Sequence, residues 1–159
     1  MTAPLPTIGW FDGPREALAD LFALADDSPA AVSAYRDLGR VLVAREGETV
    51  VGHLQLIDGE RGGEAEVKSL AVREDRQGAG IGRRLVERAV AACREEQRST
   101  LLVSTAAADT GALRFYRRVG FRMLRVERDA FTPETGYPAQ IDIDGIPLRD
   151  RVWLSLDLG

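Results

Sequence analysis

The sequence predicts a mixed α/β domain of the α+β type, in which a mostly antiparallel sheet is covered by about four helices. Short apolar strands follow one another through tight turns in the first half of the chain, and a long amphipathic helix joins them to the second half. Strands and helices do not alternate strictly, as they do in a doubly wound fold. The 159 residues suit one domain, which we expect to span residues 1–159.

Capping residues and hydrophobic spacing place the helices. Pro14 suits a first helical turn, and Ser28 before Pro29 is a typical N-cap, so two helices are expected at the start. Apolar residues from Ile81 onward form one stripe of the long helix, and Gly120 ends the last helix in a left-handed conformation. The predicted helices cover residues 14–25, 28–37, 80–97 and 109–119.

Apolar and β-branched runs, separated by turn residues, predict the strands. They cover residues 7–11, 41–45, 49–57, 65–72, 100–104, 121–126 and 152–158. The connection over residues 127–151 is less regular, and Asp144-Gly145 within it predicts the turn of a small hairpin.

The composition excludes several classes of function. The chain has 25 acidic and 21 basic residues and a net charge of -4, which argues against a general nucleic-acid partner. No apolar run is long enough to cross a membrane, and the first residues lack the layout of a signal peptide. Cys93 is the only cysteine, so we expect a cytoplasmic protein without an intramolecular disulfide. We expect no metal.

The stretch VREDRQGAGIG, residues 72–82, joins a strand to the start of the long helix. Glycines there allow an anion to approach the backbone closely, and the helix N-terminus offers free N–H groups, so the loop predicts a phosphate site. A P-loop requires Gly-Lys followed by Ser or Thr, whereas Arg83 and Arg84 follow Gly82. The glycine spacing also differs from a dinucleotide fingerprint. The alternative is a glycine-rich turn that only caps the helix.

Two segments resemble one known family. Residues 77–82, QGAGIG, resemble the acetyl-CoA signature of the GNAT superfamily of N-acetyltransferases, and residues 109–121, DTGALRFYRRVGF, resemble a second segment of that superfamily. The resemblance implies a seven-stranded, mostly antiparallel sheet, splayed between its fourth and fifth strands, with acetyl-CoA as co-substrate in the splay. It is specific because two motifs occur in the right order on the right elements.

The resemblance also implies which residues bind acetyl-CoA. The backbone of the fourth strand would pair with the pantetheine arm, and the loop amides would hold the pyrophosphate. The residues concerned are Leu70, Ala71 and Val72 on the strand, and Gln77, Gly78, Ala79, Gly80, Ile81 and Gly82 in the loop. Arg83 and Arg84 either add positive charge near the phosphates or are simply solvated. Asp109 stands where the family has Asn, and it either contacts the cofactor, caps the helix, or does both.

Acetyl transfer to an amine requires a base, an acid and donors for the developing oxyanion. Tyr116 occupies the family's tyrosine position and is the candidate acid for the departing thiolate, with a purely structural core tyrosine as the alternative. The oxyanion donor would be a backbone N–H near Leu70 or Ala71. Glu66 is the first candidate base, directly or through a water, although it is equally suited to be a solvated strand carboxylate.

The remaining candidates are a histidine and a cysteine. His53 is the second candidate base, because alternation with Val51 and Gln55 would let it line the acceptor cleft, and a lone histidine is also common as a structural residue. Cys93 falls on the buried stripe of the long helix and is interpreted as packing.

The acceptor cleft is implied to lie between residues 26–40 and 127–151. Carboxylates and aromatic rings there suit a cationic amine, and they are equally typical of an acidic loop surface. They are Asp26, Asp27, Tyr35, Phe131, Glu134 and Tyr137.

The predicted function is transfer of an acetyl group to a primary amine of a small molecule or amino acid. Acetylation of a protein lysine or N-terminus is a second hypothesis, which would require an open groove between the two loops. A non-catalytic acyl-CoA-binding regulatory module is a third. A homodimer is left open, because the isoleucines around Asp144-Gly145 suit burial against a second subunit.

Overall fold

The computed structural model describes residues 5–159. Residues 1–4, which the single-domain prediction and the signal-peptide argument include, lie outside the described residues. The first half contains β1 (Thr7–Trp10), α1 (Ala19–Ala25), α2 (Pro29–Tyr35), β2 (Arg40–Glu46), β3 (Thr49–Asp58) and β4 (Glu64–Val72). The second half contains α3 (Ile81–Glu95), β5 (Thr100–Ala106), α4 (Thr110–Arg118), β6 (Arg122–Glu127), β7 (Asp142–Ile143), β8 (Ile146–Pro147) and β9 (Arg151–Asp157).

Seven strands form one sheet in the order β1-β2-β3-β4-β5-β9-β6, and every neighbouring pair except β4 with β5 is antiparallel. The parallel pair extends only from Glu64 opposite Thr100 to Val67 opposite Val103. Beyond Val67 the two strands diverge, so the backbone of β4 keeps its β3 partner and leaves its other side unpaired. The predicted seven-stranded sheet with a splay between its fourth and fifth strands is confirmed.

Two hydrophobic clusters cover the two faces of the sheet. The larger contains the apolar stripe of α3, which packs on strands β2 to β5 together with residues of α4. Cys93 is fully buried in it, and burial raises the pKa of its thiol, so the prediction of a packing role is confirmed. The smaller cluster contains α1 and α2, and Phe22 lies fully buried at its centre.

Two register shifts decide which face each residue of the central strands occupies. Gly52 pairs with Ala44 whereas Val50 pairs with Arg45, so Val51 is an extra residue in β3. It therefore packs with the α3 cluster, while His53 contacts Phe22 on the opposite face. The prediction that Val51 and His53 share a face is wrong, because strict alternation fails across a bulge.

The second shift lies in β4. Gln55 pairs with Ser69 and Leu56 with Val67, which leaves Lys68 without a partner of its own. The bulge brings Ser69 to the α1–α2 face and turns Leu70 toward the α3 cluster. It sits where β4 separates from β5.

The first two predicted α-helices are shorter in the structure. The first begins as a 3-10 turn over Arg15–Leu18 before α1 follows. The second ends at Tyr35 rather than residue 37, because the side chain of Gln55 donates to the carbonyls of Tyr35 and Leu38 at 2.8 and 2.9 Å. The small hairpin predicted around Asp144-Gly145 is confirmed, and both turn residues have positive φ, 50° and 82°.

Candidate active site

The glycine-rich loop has the geometry of an anion site. Gly80 is the N-cap of α3 with φ 83°, Gly78 has the same φ, and an added Cβ at either would meet no atom within 4 Å. No side chain caps this helix, so its first N–H groups are free to bind an anion. The side-chain amide of Gln77 donates to the carbonyl of Val72 at 3.0 Å and fixes the loop to the end of β4.

Gly82 has a different role from the other two glycines. A Cβ there would lie 3.3 Å from Cζ of Phe115, so the missing side chain lets the aromatic ring of α4 approach α3 closely. The sequence pattern assigned one role to all three glycines, and the packing of Phe115 shows that Gly82 has a different one.

A cleft of about 540 Å³ runs from this loop along the unpaired side of β4 to α4. The predicted cofactor residues line it, with the exception of Ala79, Asp109 and the second arginine, Arg84. Arg84 is turned away, because its guanidinium donates to the carbonyl of Pro6 at 2.8 Å. Arg83 lines the cleft and is paired with Glu87 one helical turn later. Sequence reasoning missed six lining residues, namely Leu24, Arg76, Ala112, Phe115, Arg118 and Val119.

These residues fit CoA. The open helix N-terminus suits a pyrophosphate, and the unpaired side of β4 offers N–H and C=O groups to a pantetheine arm, as an exposed sheet edge offers them to an added strand. The wall of the cleft is mainly apolar along Leu70, Val72 and Phe115.

Tyr116 lies where this cleft meets a second cavity of about 280 Å³ on the acceptor side. Its side chain packs edge-on against Phe115 and Phe121, with ring centroids 5.2 and 5.6 Å apart. Burial and the nearby carboxylate of Asp109 raise the pKa of the phenol, so it is a neutral hydrogen-bond donor at physiological pH. Leu24, Leu70 and Ala112 line both cavities as well, so the two are continuous at this point.

Asp109 caps α4. Its Oδ1 accepts from the backbone N–H of Ala112 at 2.9 Å, which confirms the predicted capping role. The side chain lines the acceptor-side cavity rather than the cofactor cleft. Contact with the cofactor stays a prediction.

Asp26 joins two distant segments at the acceptor-side cavity. Its Oδ2 accepts from the Tyr35 hydroxyl at 2.9 Å, and its Oδ1 accepts from the Tyr137 hydroxyl at 2.9 Å and from the backbone N–H of Ser28 at 3.0 Å. Burial and this carboxylate raise the pKa of both phenols. Phe131 packs edge-on against Tyr137 at 5.0 Å. The two loops predicted to form the acceptor cleft therefore do meet.

Two of the predicted acceptor residues have other roles. Three donors already occupy the carboxylate of Asp26, so its first role is structural. Glu134 is exposed in a 3-10 turn, Pro133–Thr135, and does not line the cavity. Asp27, Tyr35, Phe131 and Tyr137 line it as expected.

The two candidate bases occupy different environments. Glu66 is mostly buried, and desolvation raises the pKa of its carboxyl above the usual 4.5, opposed by Lys68 and Arg151. Glu66 does not line either of the two cavities in the described part of the chain. Its ion-pair partner Lys68 does line the acceptor-side cavity.

His53 is fully buried behind the acceptor-side wall. Its Nε2 lies 2.8 Å from Oγ of Ser69, and its ring packs on Phe22 with centroids 4.6 Å apart. Burial lowers the pKa of the imidazole from 6.5 to about 3. The expectation that His53 lines the cleft as a base is wrong, because the bulge at Val51 and the packing of α1 enclose it.

No helix between Leu5 and Gly159 has the length and apolarity needed to cross a membrane. Within the same span no cluster of His, Cys, Asp and Glu is arranged to hold a metal ion.

A splayed sheet, a glycine-rich helix N-terminus and a tyrosine between two joined cavities define an acyl-CoA-dependent acyltransferase. The chain belongs to the acetyltransferase (GNAT) family, whose model matches residues 9–121. It is 32% identical over 144 residues to the uncharacterized N-acetyltransferase YvbK of Bacillus subtilis, covering 91% of each chain.

Solved structures agree with this assignment. An IAA acetyltransferase from Bacillus cereus superposes with a TM-score of 0.85 at 31% identity, over 96% of this chain and 99% of that one. A GNAT family acetyltransferase from Elizabethkingia anophelis with acetyl-CoA bound superposes with a TM-score of 0.87 at 26% identity, over 96% and 97% of the two chains.

Proposed function

We propose that this acetyltransferase moves the acetyl group of acetyl-CoA directly to a primary amine of a small molecule. The observation that carries the proposal is the hydrogen bond between Asp26 and Tyr137, 2.9 Å long, which joins the two acceptor loops. A polypeptide acceptor would need an open groove between these loops. The bridge instead spans the space between the loops, beside a partly open cavity of about 280 Å³, a size suited to a small acceptor.

Different residues of the chain carry out the separate steps of acetyl transfer. Bound acetyl-CoA supplies a thioester to the amine. The amides at the start of α3 hold its pyrophosphate, and the backbone of Leu70, Ala71 and Val72 aligns its pantetheine arm. A β4 backbone N–H at Leu70 or Ala71 donates to the thioester oxygen as negative charge develops there. Tyr116 donates its proton to the departing sulfur, so that CoA leaves as its thiol, and the phenol then regains a proton from solvent.

The proton of the amine leaves toward Glu66. Because this carboxyl does not line the cavity, it acts through a water molecule, and its raised pKa makes it a stronger base than an exposed glutamate. Its ion pair with Lys68, 3.9 Å long, keeps it charged in spite of burial.

Release of free CoA thiol from acetyl-CoA tests the proposal. The assay compares small primary amines with lysine-containing peptides and with peptides that present a free N-terminus. We expect turnover with small amines and none with peptides. Turnover with peptides alone would assign a protein acetyltransferase. Tight binding of acetyl-CoA without turnover of any amine would assign a regulatory module.

A further inference from the structure

The polar groups of the acceptor-side cavity differ in whether their hydrogen-bonding capacity is already used. The carboxylate of Asp26 accepts three hydrogen bonds, and that of Asp109 accepts from the helix it caps. Lys68 and Arg151 are bound more loosely. Their ion pairs with Glu66 and Glu127 are 3.9 and 3.4 Å long, beyond or at the limit of a good charged hydrogen bond.

Aromatic rings hold both cations at the cavity wall. The ammonium of Lys68 lies 5.0 Å from the centroid of the Tyr35 ring, and the guanidinium of Arg151 lies 4.8 Å from that of Phe131. Their side chains are one third and one quarter exposed, so they are partly desolvated before any ligand binds. Lys68 is the only lysine of the chain, and the bulge of β4 presents it here.

Ser69 adds a third donor. Its hydroxyl lines the cavity, and its oxygen lies 2.8 Å from Nε2 of His53. Nδ1 of that buried ring has no partner among the described residues. A buried N–H without an acceptor costs more than a buried lone pair, so the tautomer with the proton on Nε2 is favoured. His53 then donates to Ser69, and the serine hydrogen is free to point into the cavity.

We propose that the acceptor carries a carboxylate besides its amine, and that Lys68, Ser69 and Arg151 bind that carboxylate. The inference rests on the proposed function and names its substrate class. A planar guanidinium pairs with both oxygens of a carboxylate, and the ammonium and the hydroxyl complete the set of donors. Tyr116 lines the same cavity as these three residues, so an acceptor whose carboxylate they bind has its amine in the cavity that opens at Tyr116 to the cofactor cleft.

Matched amines test the substrate class. Alanine, glutamate, γ-aminobutyrate and phenylalanine are each compared with the carboxamide and with the amine that lacks the carboxyl group. For each series turned over, we expect kcat/KM to be roughly 10- to 100-fold higher with the free carboxylate, the effect of one or two charged hydrogen bonds. Equal or better use of the neutral analogues overturns the inference and leaves the proposed function intact. No turnover with any amine overturns both.

Variants test the residues. Lys68→Met and Arg151→Gln should each raise the KM of the carboxylate-bearing acceptor roughly tenfold or more relative to the KM of its carboxamide. Any change in kcat that comes from their charge near Glu66 should be the same for both acceptors. Arg149→Gln is the matched control, because Arg149 is exposed and paired with Asp129 outside the cavity. Ser69→Ala should also raise the KM of the carboxylate-bearing acceptor, by a smaller factor. An equal rise in KM for acid and carboxamide would mean that these residues only support the fold.

Discussion

The hydroxyl of Tyr137 donates to Oδ1 of Asp26 at 2.9 Å, although the two residues are 111 positions apart in the chain. This single contact joins the loop between α1 and α2 to the long connection between β6 and β9. Both residues line the acceptor-side cavity. The width of that cavity therefore depends on a hydrogen bond that neither segment makes alone.

Tyr137→Phe removes this contact and keeps the ring. We expect a rise in acceptor KM of about fivefold or more, an unchanged Kd for acetyl-CoA, and a loss of stability of about 1–3 kcal/mol, since the partner is charged and partly buried. Steady-state kinetics and thermal unfolding measure these effects. Tyr35→Phe is the matched control, because its bond to Asp26 stays within one segment. A similar rise in KM for both variants would argue against a bridging role.

Gly80→Val should abolish acetyl-CoA binding. The residue has φ 83°, which a β-branched side chain rarely adopts, and its side chain would block the open helix N-terminus. The unmodified protein should gain about 2.7 kcal/mol at a ligand concentration of about 100 Kd, visible as a raised Tm. Gly62→Val is the control, since Gly62 has open space around it and lies outside the cofactor cleft. A normal Tm shift in Gly80→Val would exclude the loop as the phosphate site.

Tyr116→Phe should lower kcat about 100-fold and leave the affinity for acetyl-CoA nearly unchanged. General-acid help is typically worth about 10²–10⁴ in rate, and a thiolate is a good leaving group that needs the lower end of this range. The ring packing on Phe115 and Phe121 survives the change. Single-turnover rates are the suitable measurement, because they isolate the chemical step. An unaltered rate of that step would return Tyr116 to a packing role.

Glu66→Gln should remove the acidic limb of the pH profile of kcat/KM. In the unmodified enzyme the limb should lie above pH 4.5, because burial raises the pKa of this carboxyl and the base must be deprotonated to act. Glu64→Gln on the same strand should keep the limb, since Glu64 binds the backbone N–H of Arg61 away from both cavities. A limb that persists in Glu66→Gln would mean that another group takes the proton.

His53→Gln should make the free energy of unfolding depend less on pH in the acidic range. The folded-state pKa of about 3 lies below the unfolded value of 6.5, so the unfolded chain binds a proton that the folded chain refuses. The contribution of the neutral imidazole to the free energy of unfolding is complete above pH 6.5 and is lost as the pH falls toward 3. At pH 5 it is smaller by about 2 kcal/mol than at pH 7.5. Chemical unfolding at several pH values compares the two proteins, and parallel curves would contradict a buried neutral His53.

The family motifs and the secondary structure were predictable because they depend on local chemistry. Glycines at 78 and 80 require positive φ, Ser28 and Asp109 cap helices through their own side chains, and Asp144-Gly145 forms a tight turn. Each of these signals acts over a few neighbouring residues, so the sequence carries it without knowledge of the fold.

The role of His53 could not be predicted because it depends on a bulge. Alternation assigned it to one face together with Val51, and one extra residue in β3 reversed that relationship. The ring of Phe22, which encloses His53, belongs to α1, and α2 and β2 lie between that helix and β3 in the chain. Arg84 illustrates the same limit, since its partner is the carbonyl of Pro6, 78 positions earlier in the chain.

The family, the glycine-rich loop, the capping residues and the position of Tyr116 on α4 all follow from local sequence patterns. The tertiary structure alone decided which polar side chains are free to meet a substrate. Hydrogen bonds across the sheet and between distant loops use up the carboxylate of Asp26, hide His53 and leave Lys68 and Arg151 loosely paired. Such competition between partners exists only once the chain is folded, because it joins residues that are far apart in sequence.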